Sequence, residues 1–285
     1  MNQKEIRTFL KGAWIGGTML VPGVSGGSMA MILGIYDELI ASVSSFFKDI
    51  KRHFIFLSIF SGGAILGMIA FAKPISHLLN KYPMPVMYFF VGAVVGSIPL
   101  IYKKSTVREV NFRIIFYTLL GLVTMYLLAQ LPTDALKSEM HSGLGSFLLL
   151  VGAGFVAAIA LILPGISVSY MLLLMGMYDE TMRAIGEFYL PFLVPLGLGL
   201  LIGVMMTTKI LERAMSQHPQ PTYLIILGFM VGSTLKVFPG IPSGTEIIIC
   251  LGTFLAGVFG ILLVSTRGRS AVLKKANQLK RKNVK

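Results

Sequence analysis

The chain reads as an all-α polytopic membrane protein of two inverted-topology repeats, each a re-entrant helical hairpin followed by three transmembrane helices. Three observations carry this reading. The composition is 55% hydrophobic and only 13% charged over 285 residues, whereas a soluble domain is nearer a quarter charged. The apolar residues fall into long runs separated by short polar segments. One motif occurs twice: Pro22-Gly23-Val24-Ser25-Gly26-Gly27-Ser28-Met29 leads to Gly34-Ile35-Tyr36-Asp37-Glu38, and Pro164-Gly165-Ile166-Ser167-Val168-Ser169-Tyr170-Met171 leads to Gly176-Met177-Tyr178-Asp179-Glu180. Eight of its seventeen positions are identical at an offset of 142 residues.

The apolar runs are roughly 9–47, 54–72, 84–102, 112–131, 145–186, 188–208, 221–238 and 245–265. A crossing needs about 20 apolar residues, so six of the runs are predicted as simple crossings. The runs 9–47 and 145–186 are broken at Pro22-Gly23 and Pro164-Gly165. The leg 9–21 would span only about 20 Å as a helix, short of the roughly 30 Å hydrocarbon core. A hairpin that turns at Pro-Gly and leaves by its entry face fits better. The first repeat is then 1–140, the second 141–266, and a basic tail occupies 267–285.

Charge placement favours the same topology. With each hairpin entering and leaving on one side, the cytoplasmic segments are 1–11, 48–53, 103–113, 209–220 and the tail. All but five of the 25 Lys and Arg then lie inside, the exceptions being Lys73, Lys81, Lys137, Arg183 and Lys236. That is the asymmetry expected of cytoplasmic loops, with both termini inside. Single crossings would instead place Lys48, Lys51 and Arg52 opposite Lys4, Arg7 and Lys11.

Three crossings separate the hairpins, so the halves are expected to have opposite orientations. The repeat continues at an offset of 136: Gly63 matches Gly199, Gly67 matches Gly203, Lys73 matches Lys209, and Gly92 and Gly96 match Gly228 and Gly232. Paired interrupted segments in two inverted halves point to a transporter's binding site.

The break itself supplies chemistry. Irregular backbone at membrane depth is tolerated only where protein covers it or a cavity is lined by it. Beyond each Pro-Gly a helix restarts, and free N–H groups at a helix start favour an anion such as phosphate. Serine hydroxyls add donors without adding charge. The candidate phosphate-binding residues are therefore Pro22, Gly23, Ser25, Gly26, Gly27 and Ser28 in the first copy, and Pro164, Gly165, Ser167 and Ser169 in the second. Close helix packing by small residues is the competing account of the same pattern.

Tyr36, Asp37 and Glu38, and their matches Tyr178, Asp179 and Glu180, are candidates for gating or coupling at the two mouths. An interfacial tyrosine beside an acidic helix end explains them equally. Lys73 and Lys209 could attract an entering phosphate, or simply snorkel to the interface.

Several classes are excluded or disfavoured. One cysteine, Cys250, rules out a disulfide framework or multi-thiolate metal site. The net charge of +13 is concentrated in the tail, as in a membrane anchor, and nucleic acid is not an expected partner. No Walker A, metalloprotease or dinucleotide pattern occurs. Neither Ser25 nor Ser167 has a His or Lys at helical spacing to act as a base, so an enzyme is not expected, and neither a cofactor nor a metal. No removable signal peptide is expected.

The stretch from Lys11-Gly12 through the first motif to Glu38, with Leu163 to Glu180 as its second copy, resembles a bacterial and archaeal family of polyprenyl-phosphate transporters. The resemblance covers essentially the whole chain. It implies a flippase returning undecaprenyl phosphate, or a related carrier lipid, from the outer to the inner leaflet of the bacterial cytoplasmic membrane. Two positions depart from the family pattern: Met19, where an acidic residue is common, and Val168, where glycine usually stands. A secondary transporter of a small soluble anion, and an intramembrane enzyme acting on a lipid phosphate, are the rival readings. A homo-oligomer is left open.

Overall fold

Short polar residues beside apolar runs decide where the helices begin. The computed structural model describes residues 2–21, 24–107, 111–131, 144–236, 238–244 and 246–263. Within these, Asn2 and Glu5 form a capping box that opens α1 (Gln3–Thr18). Ser25 caps α2 (Gly26–Ile32), and α3 is Tyr36–Ser44. Asp49 accepts from Arg52 N at 3.2 Å and starts α4 (Ile50–Lys81). Tyr82 alone separates α4 from α5 (Pro83–Lys104), which has proline in its first turn, where no N–H is missed. Asn111 caps α6 (Phe112–Gln130).

The second half repeats the order. It runs α7 (Leu144–Ile162), α8 (Val168–Leu174) behind the cap Ser167, α9 (Tyr178–Gly186), α10 (Leu190–Gln217), α11 (Pro219–Lys236) and α12 (Glu246–Leu263). No strand occurs among the described residues. The short helices α2 and α8 end in the same way. Gly34 has φ +63° and Gly176 φ +64°, a left-handed conformation that costs glycine little. The next residues, Ile35 and Met177, donate back to Ala30 O at 3.0 Å and Leu172 O at 2.9 Å, the Schellman pattern of helix ends. Beyond the first stop the chain bends by 117° between α2 and α3.

Glycines bring the long helices into backbone contact. A Cβ at Gly12 would lie 2.3 Å from Phe60 O, and one at Gly67 1.9 Å from Ala13 O. Facing residues rise together in number, so α1 and α4 run parallel. The segment α2–α3 therefore carries the chain back to the end where α1 began, and Lys4 meets Glu38 there at 2.6 Å. The sequence-matched pair α7 and α10 packs in the same way, with Gly199 against Val151 and Gly203 against Phe155. Across the halves, Gly92 meets Phe254 and Gly96 meets Val258, while Gly228 meets Thr118 and Gly232 meets Met125, so facing residues again rise together. Hence α5 runs parallel to α12, and α6 parallel to α11.

Six helices, α4, α5, α6, α7, α10 and α12, are long and apolar enough to cross a membrane. Ile65, Leu66 and Ile69 of α4 are exposed on its outer face, which is stable only against lipid. This is a multi-pass membrane protein. The set of six differs from the expected crossings in one member. Among the described residues, α11 (Pro219–Lys236), within the expected crossing 221–238, is less apolar than these six, because it opens with Pro219-Gln220-Pro221-Thr222 and closes with Ser233, Thr234 and Lys236. In its place stands α7, whose 19 residues carry no charge, a length of about 28 Å. The second hairpin leg is thus long enough to reach across the core, whereas the 16 residues of α1 give about 24 Å. Helices α4 and α10 extend well past the runs 54–72 and 188–208, since helix once nucleated propagates through polar residues.

Candidate functional site

The two motif copies meet. Ser25 caps α2 by accepting from Ser28 N at 3.1 Å, and the same oxygen accepts from Gly165 N of the second copy at 3.0 Å. Its own proton goes to Ser28 Oγ at 2.8 Å. A hydroxyl has one donor and two acceptor sites, so Ser25 is fully engaged. Gly27 lies against Pro164, where a Cβ would sit 3.3 Å from Pro164 Cα. Tyr36 adds a third tie by donating to Ile162 O, two residues before Pro164, at 2.7 Å. These contacts join positions more than a hundred residues apart and hold the first motif against the second tip.

Backbone donors remain. At the start of α2, Gly26 N and Gly27 N have no partner among the described residues, nor do Val168 N and Ser169 N at the start of α8. The second tip needs its glycine: Gly165 has φ +92°, and a Cβ there would come 2.7 Å from Phe229 O. Ser167 accepts from Tyr170 N at 3.4 Å, and Ser169 is exposed. Pro22 and Gly23 lie outside the described residues, as do Arg108, Lys137 and the tail 267–285. Met19 stands beside the first tip, its Sδ 2.8 Å from where a Gly26 Cβ would be. An apolar thioether thus lines a place where a carboxylate would repel an anion.

The surroundings of the two tips differ. The first lies in the main core, with Met29, Met31, Ile32 and Tyr36 packed among Ile101 of α5 and Ile226 and Met230 of α11. Helix α8 packs on its own half, Leu172 and Met175 against Leu150, Ala153 and Phe192, while Ile166 of the second tip meets Met125 of α6 and Phe229 of α11.

The Tyr-Asp-Glu segments differ as well. Asp37 pairs with Lys104 of α5 at 2.5 Å and accepts from Tyr223 of α11 at 3.3 Å. The Lys104 ammonium also lies 5.6 Å from the centre of the Tyr223 ring. About two turns further, Ser44 bonds to Glu212 of α10. The α3 end is therefore fastened to the second half. In α9, Glu180 pairs with Arg183 of its own helix at 2.6 Å, and Asp179 is exposed without a partner among the described residues. Tyr178 packs into its own half's core. Lys73 and Lys209 are exposed on α4 and α10 and make no contact with either tip.

Sequence reading did not find Lys104, Tyr223, Ser44 or Glu212. Their partners come from other helices, and no local spacing announces such pairs. It also placed Lys11 simply in a cytoplasmic segment, whereas its ammonium donates to Leu33 O at 2.8 Å and satisfies a terminal carbonyl of α2.

Many apolar helices, with two interrupted segments in contact near the centre of the bundle, define a membrane transporter architecture. The chain belongs to the undecaprenyl phosphate translocase-like family, whose model matches residues 15–248. It is 34% identical over 284 residues to a polyprenyl-phosphate transporter of Staphylococcus aureus, covering 94% of this chain and 98% of the relative. A polyprenyl-phosphate transporter of Vibrio cholerae is 31% identical over 248 residues, covering 82% of this chain and 78% of that protein. No solved structure matches the chain.

Proposed function

We propose that this protein is a flippase for undecaprenyl phosphate or a related polyprenyl phosphate, returning it from the outer to the inner leaflet of the bacterial cytoplasmic membrane. The observation that carries the mechanism is the tip-to-tip contact of Ser25 with Gly165. It sets the second tip against the start of α2, which supports holding a phosphate at the free helix-start N–H groups of the tips while its tail stays in lipid. The helices α2 and α8 have seven residues each, so their macrodipoles are small, and direct hydrogen bonds from Gly26, Gly27, Ser28, Val168 and Ser169 supply most of the attraction.

The re-entrant reading is supported by parallel α1 and α4, whose intervening segment must return to its starting end. The length of α7 weighs against it for the second half. Inversion of the halves is supported by parallel α5 and α12. Consecutive spans joined by a short connection, such as α5 and α6, run in opposite directions, and α12 is the counterpart of α6. The end gathering Lys4, Lys48, Lys51, Arg52 and Lys104 faces the cytoplasm by the positive-inside rule. The fastened α3 end then makes this conformation closed toward the cytoplasm, and release there needs the Asp37 and Ser44 bonds to open.

Transport is favoured over catalysis by the engagement of these serines with the tips themselves: the Ser25 hydroxyl is held by two backbone N–H groups and Ser28 Oγ, and that of Ser167 by Tyr170 N. The test is translocation of labelled undecaprenyl phosphate in proteoliposomes. Protein-dependent movement of chemically unchanged lipid supports the reading. Equal movement in protein-free vesicles, or a dephosphorylated product, contradicts it.

A further inference from the structure

An apolar groove of about 640 Å³ lies between α1, α4, α5 and the start of α12, within the roughly 300–1,000 Å³ range of small-molecule sites. Its rim is exposed at Trp14, Phe71, Leu78 and Ile249, and its floor is buried at Thr18, Val21 and Pro85. Val21 is the residue before the first Pro-Gly break, so the deep end adjoins the candidate phosphate cradle. The two threonine hydroxyls in the lining are already satisfied, Thr18 donating to Ile15 O at 2.9 Å and Thr253 to Cys250 O at 3.0 Å, and the third hydroxyl belongs to Tyr82 on the exposed rim. Neither threonine presents an unmet hydrogen bond to an apolar occupant.

The groove belongs to the first half in particular. Trp14, Phe71, Phe89 and Phe90 line it, and their matches in the second half are Val156, Thr207, Ile225 and Ile226. Gly17, which lets the Phe71 ring lie against α1 (a Cβ would be 2.7 Å from the ring), is matched by Ile159. The glycine and the ring are replaced together, and with them the aromatic wall.

We infer that this groove seats the head-proximal isoprene units of the lipid, with the phosphate at the adjoining first tip. The inference rests on the transport reading and deepens it. Each isoprene unit presents a flat, methyl-branched alkene that can lie against an aromatic ring and gain dispersion contacts over its whole face. A straight saturated chain offers only methylene edges. From Phe71 to Tyr82 the groove follows about 16 Å of α4, so the far end of a long tail remains in the bilayer. Discrimination between carrier lipid and bulk phospholipid then resides in this wall.

Trp14 is the sole tryptophan in the chain and stands on the rim, which gives a direct readout. The full-length protein in detergent is titrated with geranylgeranyl phosphate, hexadecyl phosphate and inorganic phosphate while Trp14 emission is followed. The expected result is a saturable change with geranylgeranyl phosphate, half-saturation at about tenfold higher concentration with hexadecyl phosphate, and no change with inorganic phosphate. Phe90→Leu, which keeps an apolar side chain, is expected to bring the two chains to within about twofold of each other. Equal half-saturation of both chains in the unsubstituted protein overturns the inference, as does discrimination that survives Phe90→Leu. An unresponsive Trp14 in a preparation that transports overturns the groove and leaves the transport reading standing. A selective Trp14 response without transport does the reverse.

Discussion

The Ser25 hydroxyl accepts a hydrogen bond from the Gly165 backbone at 3.0 Å, across 140 residues of sequence. Because the same oxygen caps α2, one atom fixes both the start of a helix and the position of the opposite tip. On the proposed reading, a phosphate arriving at the tips meets donors already oriented. Any motion of one half against the other must break this bond or carry both tips together.

Ser25→Ala removes the cap and the tie at once. Loss of an N-cap costs about 1 kcal/mol, and Gly165 N loses its partner as well. The expected outcome is a lowered melting temperature in detergent and a reduced translocation rate, with Ser25→Thr restoring much of the stability. An unchanged melting temperature would show that the tie contributes nothing.

The glycines separate into those that need their missing side chain and those that do not. Gly165→Ala meets both a positive φ and the Phe229 carbonyl, and should destabilise by about 2 kcal/mol or more. Gly67→Ala would drive a methyl into the Ala13 backbone and separate α1 from α4. Gly152→Ala, with nothing within 4 Å, should leave stability unchanged or slightly raised. Thermal unfolding of the three variants checks the order, and equal melting temperatures would contradict the close helix packing.

Asp37→Asn weakens the pairing with Lys104 and with Tyr223 while preserving shape. Opening at the α3 end should become more frequent. A thiol placed at Ala41→Cys, in the polar pocket beside Lys4, Glu38 and Arg52, should then react severalfold faster with a water-soluble maleimide. The native Cys250 is fully buried and serves as the unreactive reference. An unaltered rate would remove Asp37 from the gate.

Much of the fold was legible in the sequence because the signals were local. Long apolar runs, Pro-Gly breaks and repeated glycines mark helices, interruptions and contact faces whatever surrounds them. The offset of 142 between motif copies reappears residue for residue in α2 with α8 and α3 with α9. The Gly-rich first tip already differed from the second in sequence, but the unequal fastening of the Tyr-Asp-Glu segments did not show there. It arises from which helices cover each segment, so Asp37 is fastened and Asp179 has no partner among the described residues, although both stand in the same motif. Ser25 shows the same limit: residue type suggested a ligand donor, and tertiary contact engaged that hydroxyl with protein.

The tips' role in moving lipid is tested most directly by translocation of labelled undecaprenyl phosphate in proteoliposomes containing Gly27→Leu beside unsubstituted protein. A Cβ at Gly27 already approaches Pro164 to 3.3 Å, so leucine must push the tips apart and cover the donors between them. The account predicts that translocation falls to the protein-free level, while Gly27→Ala, which asks Pro164 to yield only slightly, retains most of it. Undiminished translocation by a folded Gly27→Leu protein would contradict the account.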